Sequence, residues 1–81
     1  MNSMKNNDNN TIYQRIRNLR EDMDFTQAEV AEKLNLHITQ YRRYENATST
    51  VTADFIVSIA KLYDVSTDYI LGLTNDKRKY W

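Results

Sequence analysis

Within HITQYRRYE, residues His37 to Glu45, a hydroxyl and two guanidinium groups stand close to a branched apolar side chain. Stepped at ~100° per residue from Ile38, a helix places Arg42 at about 40°, Thr39 at about 100° and Arg43 at about 140°. Gln40, Tyr44 and Tyr41 fall opposite, at about 200°, 240° and 300°. One side therefore carries an aromatic pair suited to a core, and the other shows Ile38, Thr39, Arg42 and Arg43. An exposed isoleucine among polar groups calls for a partner surface. The major groove of DNA is one such surface. It admits an α-helix, arginine pairs bidentately with guanine, and apolar groups touch the thymine methyl.

Bond-making chemistry has no comparable candidates. The chain has no cysteine, which removes thiolate nucleophiles, thiolate metal sites and disulfides, and which fits a reducing compartment. His37 is the one histidine and has no ligand-spaced companion, so neither a metal site nor a catalytic set is expected. A glycine-rich phosphate loop is also missing, since Gly72 is the only glycine. We expect no enzyme, no cofactor and no small-molecule substrate.

The elements that position these residues follow from periodicity and caps. At 81 residues the chain has room for one domain with one modest core. With no proline and a single glycine, an all-α fold is the expectation. Residues 1–10, MNSMKNNDNN, are asparagine-rich and nearly devoid of apolar groups, so they should form a flexible arm. Thr11 and Gln14 fit a capping box, and Ile12, Ile16, Leu19 and Met23 then mark one face of a first helix over about 11–23. Thr26 and Glu29 form a second capping box, so the next helix begins at Gln27 and points Val30, Ala31 and Leu34 inward. Asn35 supplies the stop, because asparagine tolerates the left-handed conformation. His37 or Ile38 then opens a third helix that runs to about Glu45.

The segment NATSTVT, Asn46 to Thr52, has the small polar composition of a loop. Thr52 can cap a fourth helix with Asp54 in its first turn and Phe55, Ile56, Ile59, Leu62 and Tyr63 on its buried face. Ser66 and Asp68 open a short fifth helix, anchored by Ile70 and Leu71 and ended at Gly72. Five short helices result, occupying 11–73, with residues 74–81 as a tail.

FTQAEVAEKLNLHITQYRRYENA, with RIRNLRED before it and FIVSIAKLYDVSTDYILG after it, resembles the helix-turn-helix domain of phage lambda-repressor and Cro-like transcription regulators. The likeness covers roughly residues 12–73. It rests on a combination: Thr-Gln opening the second helix, Ala31 in its middle, a short turn, Tyr-Glu ending the third helix, and Val-Ser-x-Asp-Tyr opening the fifth. The resemblance implies that helices 2 and 3 form the motif and that helix 3 enters the groove of a double-stranded operator. It places His37, Ile38, Thr39, Arg42 and Arg43 at base-contacting positions, and Gln27 and Asn46 at phosphate-contacting ones. It also makes Arg20 and Glu45 a structural pair that ties the first helix to the end of the third.

Several alternatives stay open at this level. Gln27 can be a merely solvated residue, His37 a simple cap, and Ile38 can fold back on the second helix. Asn46 can serve instead as a helix-terminal residue with φ > 0. Against the family pattern, Ala47 stands where glycine is frequent, and the loop over 46–52 lacks proline and basic residues. Glu29 and Glu32 lie near the expected DNA side, so affinity for random DNA should be low and strongly salt-dependent.

Net charge is zero, with 11 basic and 11 acidic side chains. That balance is awkward for a nucleic-acid ligand and leaves room for a second reading: a protein-interaction module of the same fold, such as an antirepressor or an antitoxin component. A single motif reads few base pairs, so a homodimer on two half-sites is expected. Its contacts would come from the fifth helix and the tail, where Leu73, Tyr80 and Trp81 are apolar; alternatively Trp81 packs back on the fourth helix. Lys77, Arg78 and Lys79 offer a further phosphate contact or a solvated basic run. No apolar run approaches the ~20 residues of a bilayer span, and no signal peptide is evident, so a cytoplasmic location without membrane contact is expected.

Overall fold

The computed structural model describes residues 11–79. Among them are five helices and no strand: α1 (Ile12–Asp22), α2 (Gln27–Lys33), α3 (Ile38–Glu45), α4 (Ala53–Tyr63) and α5 (Thr67–Ile70). The expected arm over 1–10 lies outside the described residues, as do Tyr80 and Trp81.

Every helix starts on a side-chain cap. Thr11, Thr26, Thr52 and Ser66 accept from the backbone N–H three residues on, in Gln14, Glu29, Phe55 and Tyr69. At Thr26 the box is reciprocal, because the Glu29 carboxylate also accepts from the Thr26 N–H at 2.7 Å. The box expected at Thr11 is only half made. The Gln14 side chain turns along its own helix and donates to Asn18 at 2.9 Å, one turn away, rather than reaching back.

The helix ends share one geometry. A residue one or two positions past each helix takes positive φ: Asp64 directly after α4, and Asp24, Asn35, Ala47 and Gly72 one residue further on after the others. Long-range turn bonds accompany it: Phe25 N–H donates to Arg20 O, Leu36 to Ala31, Thr48 to Arg43, Val65 to Ala60 and Leu73 to Asp68, all at 2.8–3.1 Å. Those bonds satisfy carbonyls that the helix leaves orphaned. Aspartate and asparagine accept the left-handed region at small cost, but alanine's Cβ crowds the carbonyl. The positive φ after α3 thus falls on Ala47 (64°), whereas Asn46 is at −87°. Ala47→Gly should therefore stabilise the fold by about 1 kcal/mol in urea unfolding. An unchanged midpoint would show that the turn carries no such strain.

One core joins all five helices, formed by Ile16, Leu19, Val30, Ala31, Tyr41, Tyr44, Phe55, Ile56, Ile59, Ala60, Val65 and Ile70. Helix α3 packs on α1 and α2, and α5 packs on α4 and α1. Several expected core positions need correction. Met23 is 56 % exposed, because the helix stops before it and the chain turns at Asp24. Leu71 is 40 % exposed, because α5 is too short to bring it round with Ile70. Leu62 and Tyr63 are only half-buried, and Ala60 is fully buried beside Ile59 on α4.

The segment after α5 is not loose over residues 74–79. Arg15, 3 % exposed on α1, donates to Tyr69 O (2.9 Å), Thr74 O (2.8 Å) and Asn75 Oδ1 (2.8 Å), and stacks on the Tyr69 ring. Ser66 N–H donates to Lys77 O at 3.0 Å. Each of the three basic residues there has a partner on this chain: Lys77 lies over Tyr69, Arg78 pairs with Asp76 and Lys79 with Asp64.

Candidate nucleic-acid interface

The turn between α2 and α3 sets how the third helix is presented. Asn35 at φ 58° reverses the chain, and His37, extended at φ −65° and ψ 140°, caps α3 by accepting the Thr39 N–H on Nδ1 at 3.2 Å. His37 is thus placed as the cap, with its ring exposed. On α3 the expected two faces are present. Tyr41 and Tyr44 are buried against Phe55, whereas Thr39, Arg42 and Arg43 are exposed. Of the two places open to Ile38, the structure shows the packed one in part: it is half-buried and packs on the core, because its position at the helix start lies close to the turn.

Behind the exposed face lies a cluster centred on Glu45, which is 2 % exposed. Arg20 binds its carboxylate with two hydrogen bonds, Nε to Oε2 at 2.9 Å and Nη2 to Oε1 at 3.0 Å. The Tyr41 hydroxyl donates to Oε2 at 2.6 Å and Gln27 Nε2 to Oε1 at 3.0 Å. Arg17 approaches the same carboxylate at 3.5 Å. Arg20 also donates to Phe25 O at 3.0 Å, which fixes the link between α1 and α2. One carboxylate thereby ties α1, α2 and α3 together.

The electrostatics follow from this geometry. Burial by itself would push the Glu45 carboxyl up, but hydrogen bonds from Arg20, Tyr41 and Gln27 outweigh it and hold it below its ordinary value. Its hydrogen bond to Glu45 keeps Arg20 protonated beyond its usual range. Tyr41 is pushed up by burial and by its hydrogen bond to the Glu45 carboxylate. Burial also raises Tyr63, to about 12.

The residues singled out from sequence are thus partly brought together. Gln27 touches both the cluster and the outer face, since its Oε1 accepts from Arg42 Nε at 3.4 Å. Asn46 caps α3, and its side chain accepts from Arg17 at 3.5 Å. Sequence reasoning missed Tyr41 as a hydrogen-bonding partner of Glu45, although an i, i+4 spacing on one helix was a legible signal. It also missed Arg17, for which no local signal existed. Among the described residues, no group of three or more histidine, aspartate or glutamate side chains is placed to hold a metal ion. Nor is any described helix long and apolar enough to cross a membrane.

A capped short helix, a tight asparagine turn and a second helix with one polar exposed face define a helix-turn-helix protein. The chain belongs to the helix-turn-helix family, whose profile matches residues 16–70. It is 44 % identical over 63 residues to the uncharacterized HTH-type transcriptional regulator YobD of Bacillus subtilis, covering 78 % of this chain and 56 % of that protein. It is 35 % identical over 69 residues to the HTH-type transcriptional regulator ImmR of the same organism, covering 85 % and 54 %. With the cryptic phage CTXphi transcriptional repressor RstR of Vibrio cholerae it shares 31 % over 61 residues, covering 75 % and 54 %. The chain spans about half the length of these curated relatives. In structure it resembles the P22 c2 repressor, crystallised with a synthetic operator, at a TM-score of 0.68 and 20 % identity over 75 % of this chain and 92 % of that one. At that identity the likeness establishes the fold.

Proposed function

We propose that this chain binds double-stranded DNA sequence-specifically, as the DNA-reading part of a transcriptional repressor that inserts α3 into the major groove of an operator. The observation that carries this reading is the exposed side of α3, where Thr39, Arg42 and Arg43 stand free of the core while Tyr41 and Tyr44 fasten the opposite side. Thr39, Arg42 and Arg43 read base edges, with the exposed parts of His37 and Ile38 beside them. Gln27 and Asn46 contact phosphate. Gln27 gives one amide hydrogen to Glu45 and keeps a second for a phosphate oxygen. The relatives named as transcriptional regulators support the regulatory role.

The domain acts in the cytoplasm as a homodimer whose two copies read half-sites roughly 34 Å apart. Exposed Val57, Leu71 and Leu73 on α4 and just after α5 support a dimer face there. A protein-interaction module of the same fold is the second reading, favoured by the zero net charge. The test is selection of bound duplexes from a random pool, followed by anisotropy titration of the recovered sequence. Arg43→Ala should lose about 1–3 kcal/mol of binding, roughly 5- to 150-fold, with little change in thermal midpoint. Equal binding by both proteins would remove Arg43 from the readout. If no duplex is enriched, the protein-interaction module is the better reading.

A further inference from the structure

Two guanidinium groups converge on the single carboxylate of Glu45, and they do so unequally. Arg20 occupies both oxygens at 2.9 and 3.0 Å, while Arg17 reaches one of them at 3.5 Å and keeps its side chain 39 % exposed. The cluster therefore carries one positive charge more than Glu45 neutralises, and Arg17 is the member that faces solvent. It does so in an open groove of about 320 Å³ between the start of α1 and the end of α3, lined also by Tyr13, Gln14, Asn46 and Ala47. Among the described residues, no acidic side chain other than Glu45 lines it. From the groove Arg17 Nη2 donates to the Asn46 side chain at 3.5 Å, just where the chain leaves α3.

A surplus cation on α1 also answers a deficit elsewhere. The segment 46–52 contains no lysine or arginine, so the loop that follows α3 has no charge of its own to offer a DNA strand. We propose that Arg17, reaching across from α1, is a phosphodiester contact that supplies the charge this loop lacks, with the groove beside Asn46 seating the sugar-phosphate backbone at the end of α3. The proposal rests on the DNA-binding reading above. It makes Arg17 a sequence-independent contact, distinct from the base-reading role given to Arg42 and Arg43. A guanidinium held loosely by a carboxylate already satisfied by Arg20 can turn to a phosphate without stranding that carboxylate.

The test is the salt dependence of binding to a fluorescein-labelled random-sequence duplex, measured by anisotropy for wild type, Arg17→Gln and Arg17→Lys. The slope of log K against log salt for Arg17→Gln should be shallower than wild type by about 0.9, the loss of one phosphate contact. Arg17→Lys should keep the wild-type slope, because a lysine ammonium still neutralises one phosphate. Base preference in competition among duplexes should not change for either variant. A wild-type slope retained by a folded Arg17→Gln overturns the proposal and leaves the DNA reading standing. A shallower slope with altered base preference overturns it too, by making Arg17 a reader. Wild type that binds no duplex at low ionic strength overturns the DNA reading itself and this contact with it.

Discussion

Glu45→Ala is expected to lower unfolding stability by about 3 kcal/mol, the lower end of the range for breaking a buried ion pair. The carboxylate is the shared acceptor for Arg20, Tyr41 and Gln27, so its loss leaves a guanidinium, a hydroxyl and an amide without their partner. The lower end applies because the Arg20 side chain keeps 15 % exposure and can be partly rehydrated. Urea unfolding measures this directly, without the screening that guanidinium salts add. A loss below about 1 kcal/mol would mean that the cluster rearranges freely and does not hold the three helices in register.

The same carboxylate predicts a pH dependence. Its folded value lies below the ordinary 4.5, so the folded state favours the charged form. The contribution is fully present above the unfolded value and is lost as pH falls through the folded one. Wild-type stability should therefore decline on acidification below about pH 4.5, and Glu45→Gln, which cannot ionise, should decline less steeply. Parallel curves for the two proteins would assign the acid sensitivity to other carboxylates.

Phe55→Ala should be at least as costly, about 3–5 kcal/mol by urea unfolding. Phe55 on α4 is buried, with its ring centroid 4.2 Å from Tyr44 and 6.3 Å from Tyr41. These rings are the back of α3, so the cavity opens behind the helix whose front is offered to DNA. For a domain of this size such a loss is a large part of a total of roughly 5–15 kcal/mol. Phe55→Leu should cost less by filling part of the space. A small effect of the alanine variant would show that α3 is held mainly by α1 and α2.

Most of the helical frame was legible because its signals are local. A threonine or serine cap acts on an N–H three residues away, and the caps at Thr26, Thr52 and Ser66 needed no knowledge of the fold. The division of α3 into an aromatic side and a guanidinium side follows from helical pitch alone. Where these rules failed, a neighbour distant in sequence or a helix end intervened. Met23 and Leu71 continue an apolar pattern past the residue at which the helix stops. For Ile38 helical pitch left two places open, and the turn brings its position partly back onto the core.

The site shows the same boundary. The pairing of Arg20 with Glu45 came from the family resemblance, not from spacing. The bond from Tyr41 lies within α3 at i, i+4, but the sharing of that carboxylate with Gln27 and Arg17 arises only when α1, α2 and α3 close on one point. Arg15, whose partners lie 54 to 60 residues away, gave no sign that it would be buried and would fasten the segment after α5. The amino-acid order by itself determined where helices begin and which side of α3 is polar, because capping and pitch act within one or two turns. Closure of the chain alone decided which charged groups meet, how they are neutralised and which one is left facing solvent, because those energies depend on distances between residues the sequence keeps far apart.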